Sequence, residues 1–359
     1  MEPVTHLMTG ACLARAGLNR RAAYTTLAMT LAAEAPDLDT LWGVGGPLAG
    51  FEHHRGITHT FVGLPFVAAG VVGAVWLLHR WRQRGGRSVA TKAPVHWGLL
   101  YGFCLIALLS HLLLDWTNNY GLRPFFPFNP RWYAGSFVFI FEPVLFGVLL
   151  LALVAPLFFG LIGSEVGAKR PAFRGRSWAI FALLVMAGLW GWRWVEHADA
   201  LTLIEREYFD GAPKLRVFAS PYPTNPYKWH AIVETPDHFQ TATVDTRSGE
   251  VTTAGSVDVI YKPATTLATL AAKRSWLGRV YLDWSMYPVV EQTGIDADGV
   301  ATVSFRDLRF GYDTFLVHAS DGDGRGRARA AQPLPLSGTV LVDAERRIAA
   351  MKMDGRVQR

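Results

Sequence analysis

Three long apolar runs constrain this chain more than any other feature. They are FVGLPFVAAGVVGAVWLL (61–78), WGLLYGFCLIALLSHLLLDW (97–116) and FVFIFEPVLFGVLLLALVAPLFFGLIG (137–163). Each is close to or above the roughly 20 residues that a helix needs to cross a hydrocarbon core. Inside a bilayer every backbone N–H and C=O must be satisfied within the segment, so such runs fold as helices. A fourth run, WAIFALLVMAGLWGWRWV (178–195), is slightly shorter and ends in tryptophans, which suit a membrane interface. Two weaker helical stretches come first, at 4–17 and 22–35. At 1.5 Å per residue each reaches about 20 Å, short of a full span. The mean hydropathy of +0.18 averages two unlike halves. Residues 1–198 are expected to form a helical membrane domain and residues 199–359 a polar, β-rich one. The expected fold is an α-helical membrane bundle, with four clear spanning helices and two short N-terminal helices, followed by a β-rich C-terminal domain.

The loop charges orient the bundle. Arg15, Arg20, Arg21, Arg80, Arg82, Arg84, Arg87, Lys92, Lys169, Arg170, Arg174 and Arg176 fall on one side, and only Arg55, Arg123 and Arg131 on the other. The positive-inside rule places the larger set in the cytoplasm. The reading is a multi-pass protein of the inner (plasma) membrane whose C-terminal domain is extracytoplasmic. The net charge of +6 is thereby accounted for by topology, and no nucleic-acid partner is expected. Cys12 and Cys104 sit unpaired in apolar segments and read as small buried hydrophobes. The N-terminal MEPVTHLMTG has no basic n-region, so a cleaved signal peptide is not expected.

The C-terminal half mixes alternating and β-branched residues in KWHAIVET (228–235), FQTATVDT (239–246), SVDVIYK (256–262), ATVSFRDL (301–308) and GTVLVDA (338–344). Turn formers such as RSGE and DADG separate some of them. The stretch SDGDGRGRARAAQP (320–333) reads as a flexible loop. It lacks the terminal Glu of an EF-hand.

The unusual polar residues all fall at the same end of their segments. His6 opens the first helix, and Asp37 and Asp39 close the second. EHHRGITHT (52–60) precedes the third, and His111 and Asp115 close the fourth. His111 and Asp115 are four apart, so they share a helix face. Asp37 and Asp39 follow Pro36, which is expected to end its helix and leave them on extended backbone. His54 and His59 are five apart, with Gly56 permitting a turn between them. Singly, such residues are interfacial hydrogen-bonders or turn formers. Together, ionisable groups at one level of a membrane bundle point to function. Imidazoles with carboxylates suit Zn²⁺, Mn²⁺ or Fe²⁺ better than Mg²⁺ or Ca²⁺. The ligands outnumber those one tetrahedral ion needs, so one or two ions are expected, zinc first. His79, His96 and His197 flank apolar segments and read as interfacial. His230, His238 and His318 have no partners at ligand spacing, and Glu142 needs a polar partner within its apolar run.

THL at the start, PDLD after a short helix, HRGITHT before a spanning run and SHLLLD before a Gly-containing loop occur in this order. Over roughly residues 1–135 this pattern resembles the membrane-bound metal-dependent hydrolase family, also described as LexA-binding, inner-membrane-associated hydrolases. The resemblance carries onto His6, Asp37, Asp39, His54, Arg55, His59, His111 and Asp115, with His53 outside the pattern. It implies an analogy to all-helical zinc phosphoesterases. On this expectation His6, Asp37, His54, His59, His111 and Asp115 hold metal. Asp39 orients a ligand imidazole or acts as general base, and Arg55 meets a phosphate or developing negative charge. An ion pair of Arg55 with Asp37 or Asp39 is the competing reading. The membrane setting points to a phosphoester or lipid-linked substrate. A non-catalytic transporter, sensor or pseudoenzyme whose β-rich domain binds a partner is the alternative. A haem site fits the carboxylates poorly, and neither HExxH nor GxSxG is present.

Overall fold

The computed structural model describes residues 1–84, 93–165, 173–207, 211–253, 258–311 and 335–358. Arg87, Lys92, Lys169, Arg170, His318 and the 320–333 stretch lie outside these residues. The chain divides into two compact units, Met1–Asp39 with Arg55–Val195, and Thr40–His54 with Glu196–Arg359. Thr40–His54 thus groups with the C-terminal unit, a placement that sequence order alone does not suggest.

The first unit is helical. It holds α1 (Pro3–Arg15), α2 (Thr25–Glu34), α4 (Leu64–Arg84), α5 (Trp97–Thr117), α6 (Pro143–Glu165) and most of α7 (Arg176–Arg206). Among the described residues four helices are long and apolar enough to cross a membrane: α4, α5, the Pro143–Gly160 part of α6, and α7. α1 and α2 have 13 and 10 residues, too few to span. α1 starts where the Glu2 carboxylate accepts from Val4 N at 2.7 Å and Thr5 N at 3.0 Å, with Pro3 preset for the first turn. It packs on α2 through small residues. A Cβ at Gly10 would meet Met29 O at 2.5 Å and Ala33 Cβ at 2.6 Å, so only glycine permits this approach. Ala28, Ala32, Leu100, Cys104, Ala107 and Leu108 are fully buried where α2 meets α5. Glu142 lies just before α6, and Arg193, buried in α7, supplies its opposite charge.

One expectation is corrected here. Pro36 does not leave Asp37 and Asp39 on extended backbone, because Ala35–Gly45 continues as a 3₁₀ helix. Pro36 falls in the first turn of that new helix, where its missing N–H is not needed. The tighter winding keeps both carboxylates close to the end of α2.

The second unit contains two antiparallel five-stranded sheets. The first is ordered β1 (Arg216–Pro221), β2 (Lys228–Glu234), β3 (His238–Asp245), β4 (Glu250–Thr252), with β5 (Val259–Tyr261) also on β3. The second is ordered β10 (Arg356–Gln358), β9 (Ile348–Met353), β8 (Gly338–Val342), β7 (Ala301–Asp307), β6 (Pro288–Ile295). Ile232 and Phe239 of the first sheet share a core with Val289, Tyr287 and Leu308. Two short helices, α8 (Leu267–Arg274) and α9 (Trp276–Trp284), precede β6. α3 (Pro47–His53) docks here. Phe51 stacks 6.0 Å from Tyr281 and meets Trp284 edge-on at 5.0 Å, and Gln358 Oε1 accepts from Leu48 N at 2.8 Å.

Candidate metal centre

Four side chains from separate stretches converge inside the first unit. Asp37 comes from the 3₁₀ turn after α2, His59 from the turn Ile57–His59, and His111 and Asp115 from the last two turns of α5. Their ligand atoms lie within 4.8 Å of one another. His59 Nε2 is 3.0 Å from His111 Nε2 and 3.2 Å from Asp37 Oδ1. His111 Nε2 is 3.6 Å from Asp37 Oδ1, and both Nε2 atoms are 3.5 Å from Asp115 Oδ2. Four donors bound tetrahedrally at 2.0–2.1 Å stand about 3.3 Å apart, so these separations fit a zinc-sized ion. Among the described residues Asp115 Oδ2 also has no hydrogen-bond partner within 3.5 Å that meets ordinary geometry, as befits a waiting ligand atom.

The outer contacts set the tautomers. His111 Nδ1 donates to Ala33 O at 2.7 Å, and His59 Nδ1 faces Asp39 Oδ2 at 3.1 Å. With both protons held on the Nδ1 side, the two Nε2 lone pairs point inward at each other. That arrangement is repulsive unless a cation or proton lies between them. Asp39 Oδ2 is held in turn by Arg55 N at 2.8 Å and Thr58 Oγ1 at 3.2 Å. Asp39 therefore orients an imidazole.

Electrostatics agree with the geometry. Burial disfavours charge on His59, yet the Asp37 and Asp39 carboxylates outweigh it and raise its pKa. Burial pushes Asp37 upward, but the His59 contact prevails and brings it down to about 2.

Arg55 does not pair with Asp37 or Asp39 through its side chain. Its backbone is left-handed at φ 54°, which sends the guanidinium toward the end of α5. There Nη2 donates to Asp115 Oδ1 at 2.6 Å and Nη1 to Gly121 O at 2.7 Å, over the Tyr120 ring at 4.8 Å. The C-terminal carbonyls of a helix attract a cation, which is the physical reason for this choice. His6 stacks on His111 with ring centroids 3.9 Å apart, and its Nε2 lies 3.4 Å from Asp115 Oδ1. The Met1 amino group contacts the same Asp115 oxygen and His6 Nε2. His6 therefore borders the four-donor cluster. His54 caps α3, in the second unit, and is not one of these four donors. His53 stacks on Trp42 at 4.4 Å.

The sequence reading passed over Glu34. Its Oε2 is buried without a hydrogen-bond partner among the described residues, and burial, with the nearby Asp37 and Glu2 charges, pushes its carboxyl up to about 8. A lone Glu three residues before Asp37 carries no motif, so only the fold reveals it.

Comparison with known proteins agrees with the helical half. The uncharacterized protein YfhP of Bacillus subtilis (strain 168) is 25% identical over 154 residues, 41% of this chain and 43% of that protein. The match thus spans less than half the length of that relative. No solved structure matches the chain. The family described as YdjM inner membrane protein matches residues 1–200, more than half of the chain, and with its four apolar helices this protein is a multi-pass membrane protein belonging to that family.

Proposed function

We propose that the protein is a membrane-embedded, metal-dependent hydrolase acting on a phosphoester or lipid-linked substrate at the extracytoplasmic face. The observation that carries the reading is the set of inward-facing donors, His59 Nε2, His111 Nε2, Asp37 Oδ1 and Asp115 Oδ2, five of whose six separations are 3.0–3.6 Å. Asp37, His59, His111 and Asp115 would hold a divalent metal, zinc before manganese or iron, which would supply Lewis acidity and lower the pKa of water toward about 7. Asp39 and the Ala33 carbonyl keep the two imidazoles in the ligating tautomer. Arg55 neutralises the second oxygen of Asp115. Burial of His59, His111 and Asp115 keeps bulk water out, while Asp37, at 10% side-chain exposure, marks the direction of substrate approach.

The same donor set supports a second reading. Four protein ligands resemble a closed structural site more than an open catalytic one. A non-catalytic metal-binding membrane protein would follow. The test is metal content by mass spectrometry on detergent-purified protein, wild type beside His111→Ala and Asp115→Ala, followed by phosphoester and lipid hydrolysis assays. Stoichiometric metal lost in both variants, with hydrolysis that tracks it, is the expected result. Full metal without hydrolysis on any phosphoester overturns the enzymatic reading, and no metal in the wild type overturns both.

A further inference from the structure

The segment RPFFPFNPR (123–131) is unexplained by the metal centre. It packs three phenylalanines and three prolines between two arginines, directly after the helix that carries His111 and Asp115. Phe128 is 85% exposed and Phe125 48% exposed. An exposed apolar tip of this kind has a cost in water.

The tip is continuous with the exposed apolar surface of a candidate span. Phe125 meets Phe61 at 5.4 Å, and Phe61 N donates to Pro124 O at 2.9 Å. Phe61 leads directly into α4, where Phe66 is 75% exposed. By chain order the tip, the start of α4 and the end of α5 all lie at one end of the spans. Aromatic rings gather at such interfaces, and arginines there reach lipid phosphates. Arg123 lies over Phe126 and Trp132, and Arg131 over Tyr133, so both cations are carried on the aromatic loop.

The base of the loop adjoins Arg55, which pairs with Asp115. The Leu122–Tyr133 bridge closes it, with backbone hydrogen bonds of 2.9 and 2.8 Å. Gly121, just outside the bridge, accepts from Arg55 Nη1, and Arg55 holds Asp115.

We infer that this loop seats in the surface of the adjoining leaflet, with its phenylalanines among acyl chains and its arginines on anionic lipid phosphates. Through Gly121 and Arg55 this contact steadies the metal ligand Asp115. The inference does not depend on hydrolysis.

The experiment places a nitroxide label on Phe128→Cys in the full chain, in nanodiscs of phosphatidylcholine with phosphatidylglycerol. Asp298→Cys, in an exposed turn, is the aqueous control, and the native Cys12 and Cys104 are buried. The label at 128 is expected to relax with oxygen more than with a nickel chelate, and the label at 298 the reverse. Equal nickel access at both positions overturns lipid seating, and so does shielding from both reagents, which would mean a protein surface. Depth unchanged in pure phosphatidylcholine discs overturns the role of the arginines. The Phe125→Ser/Phe128→Ser variant is expected to bind zinc about tenfold more weakly in discs, the scale of a lost outer contact. Unchanged zinc affinity overturns the link to Asp115.

Discussion

His59 Nε2 and His111 Nε2 face each other at 3.0 Å while both Nδ1 atoms are committed to acceptors. The pair is therefore preorganised for a cation. Loss of an outer partner should weaken metal binding without emptying the site. Asp39→Ala removes the acceptor for His59 Nδ1 and is expected to lower zinc affinity about 10–100-fold. His59→Ala, which removes a donor itself, should lower it further. Competition against a chelator of known affinity measures both. Equal affinity of Asp39→Ala and wild type would show that Asp39 does not set the tautomer.

Arg55 stays left-handed at φ 54°, a conformation that costs a non-glycine residue roughly 1–2 kcal/mol. It persists because the guanidinium is 5% exposed and paired with Asp115. Arg55→Lys should behave like a loss of the residue, since an ammonium cannot reach Asp115 and Gly121 together. Breaking a buried pair costs about 3–5 kcal/mol. The expected result is a lower thermal midpoint of the metal-free chain, partly restored by zinc. An unchanged midpoint would mean that the pair contributes nothing.

Much of the fold was legible because bilayer spans depend on hydropathy alone. α4, α5, α6 and α7 sit on the four apolar runs. α7 runs on to Arg206 because residues after 195 are good helix formers although polar, so hydropathy ends before the helix does. Strands β7 and β8 follow strict alternation, β3 follows it over most of its length, β2 is buried at five successive positions, and β5 fills the middle of the 256–262 stretch. β6, with its shift between Gln292 and Gly294, and the short edge strand β10 carry little pattern of their own. In the site, residue type and spacing pointed to Asp37, His59, His111 and Asp115. The partner of Arg55 was not legible, because a left-handed residue and the end of α5 meet only in the folded chain.

His230 offers a pH test in the C-terminal unit. Burial holds its pKa down at about 4, below the ordinary 6.5, and its Nε2 donates to Leu308 O at 3.1 Å. A depressed imidazole pKa means that the unfolded chain binds the proton more readily. Stability is then fully present above about pH 6.5 and is lost as pH falls toward about 4, by about 3 kcal/mol. Glutamine can keep the donor without titrating, so His230→Gln should flatten this acid loss. Denaturant midpoints followed by pulse proteolysis, compared at about pH 7.5 and about pH 4.5, measure it. Parallel acid losses in wild type and variant would assign the effect to other groups.

Asp307 and Arg309 form a buried pair beside Trp284. Their side chains are 1% and 0% exposed, with Arg309 Nη2 donating to Asp307 Oδ2 at 2.9 Å. The Asp307 carboxylate also accepts from Arg309 N at 2.9 Å and Met286 N at 3.0 Å, joining the start of β6 to the end of β7. Burial alone would raise the pKa of Asp307, but Arg309 outweighs it and holds the group ionised. Asp307→Asn retains an acceptor but removes the buried counter-charge of the guanidinium, so it should destabilise this unit by about 3–5 kcal/mol. Arg309→Met together with Asp307→Asn removes both charges, and the double variant should be more stable than Asp307→Asn alone. A double-mutant cycle on denaturant midpoints gives the coupling. Strictly additive losses would mean that the pair acts through its separate backbone contacts and not through charge.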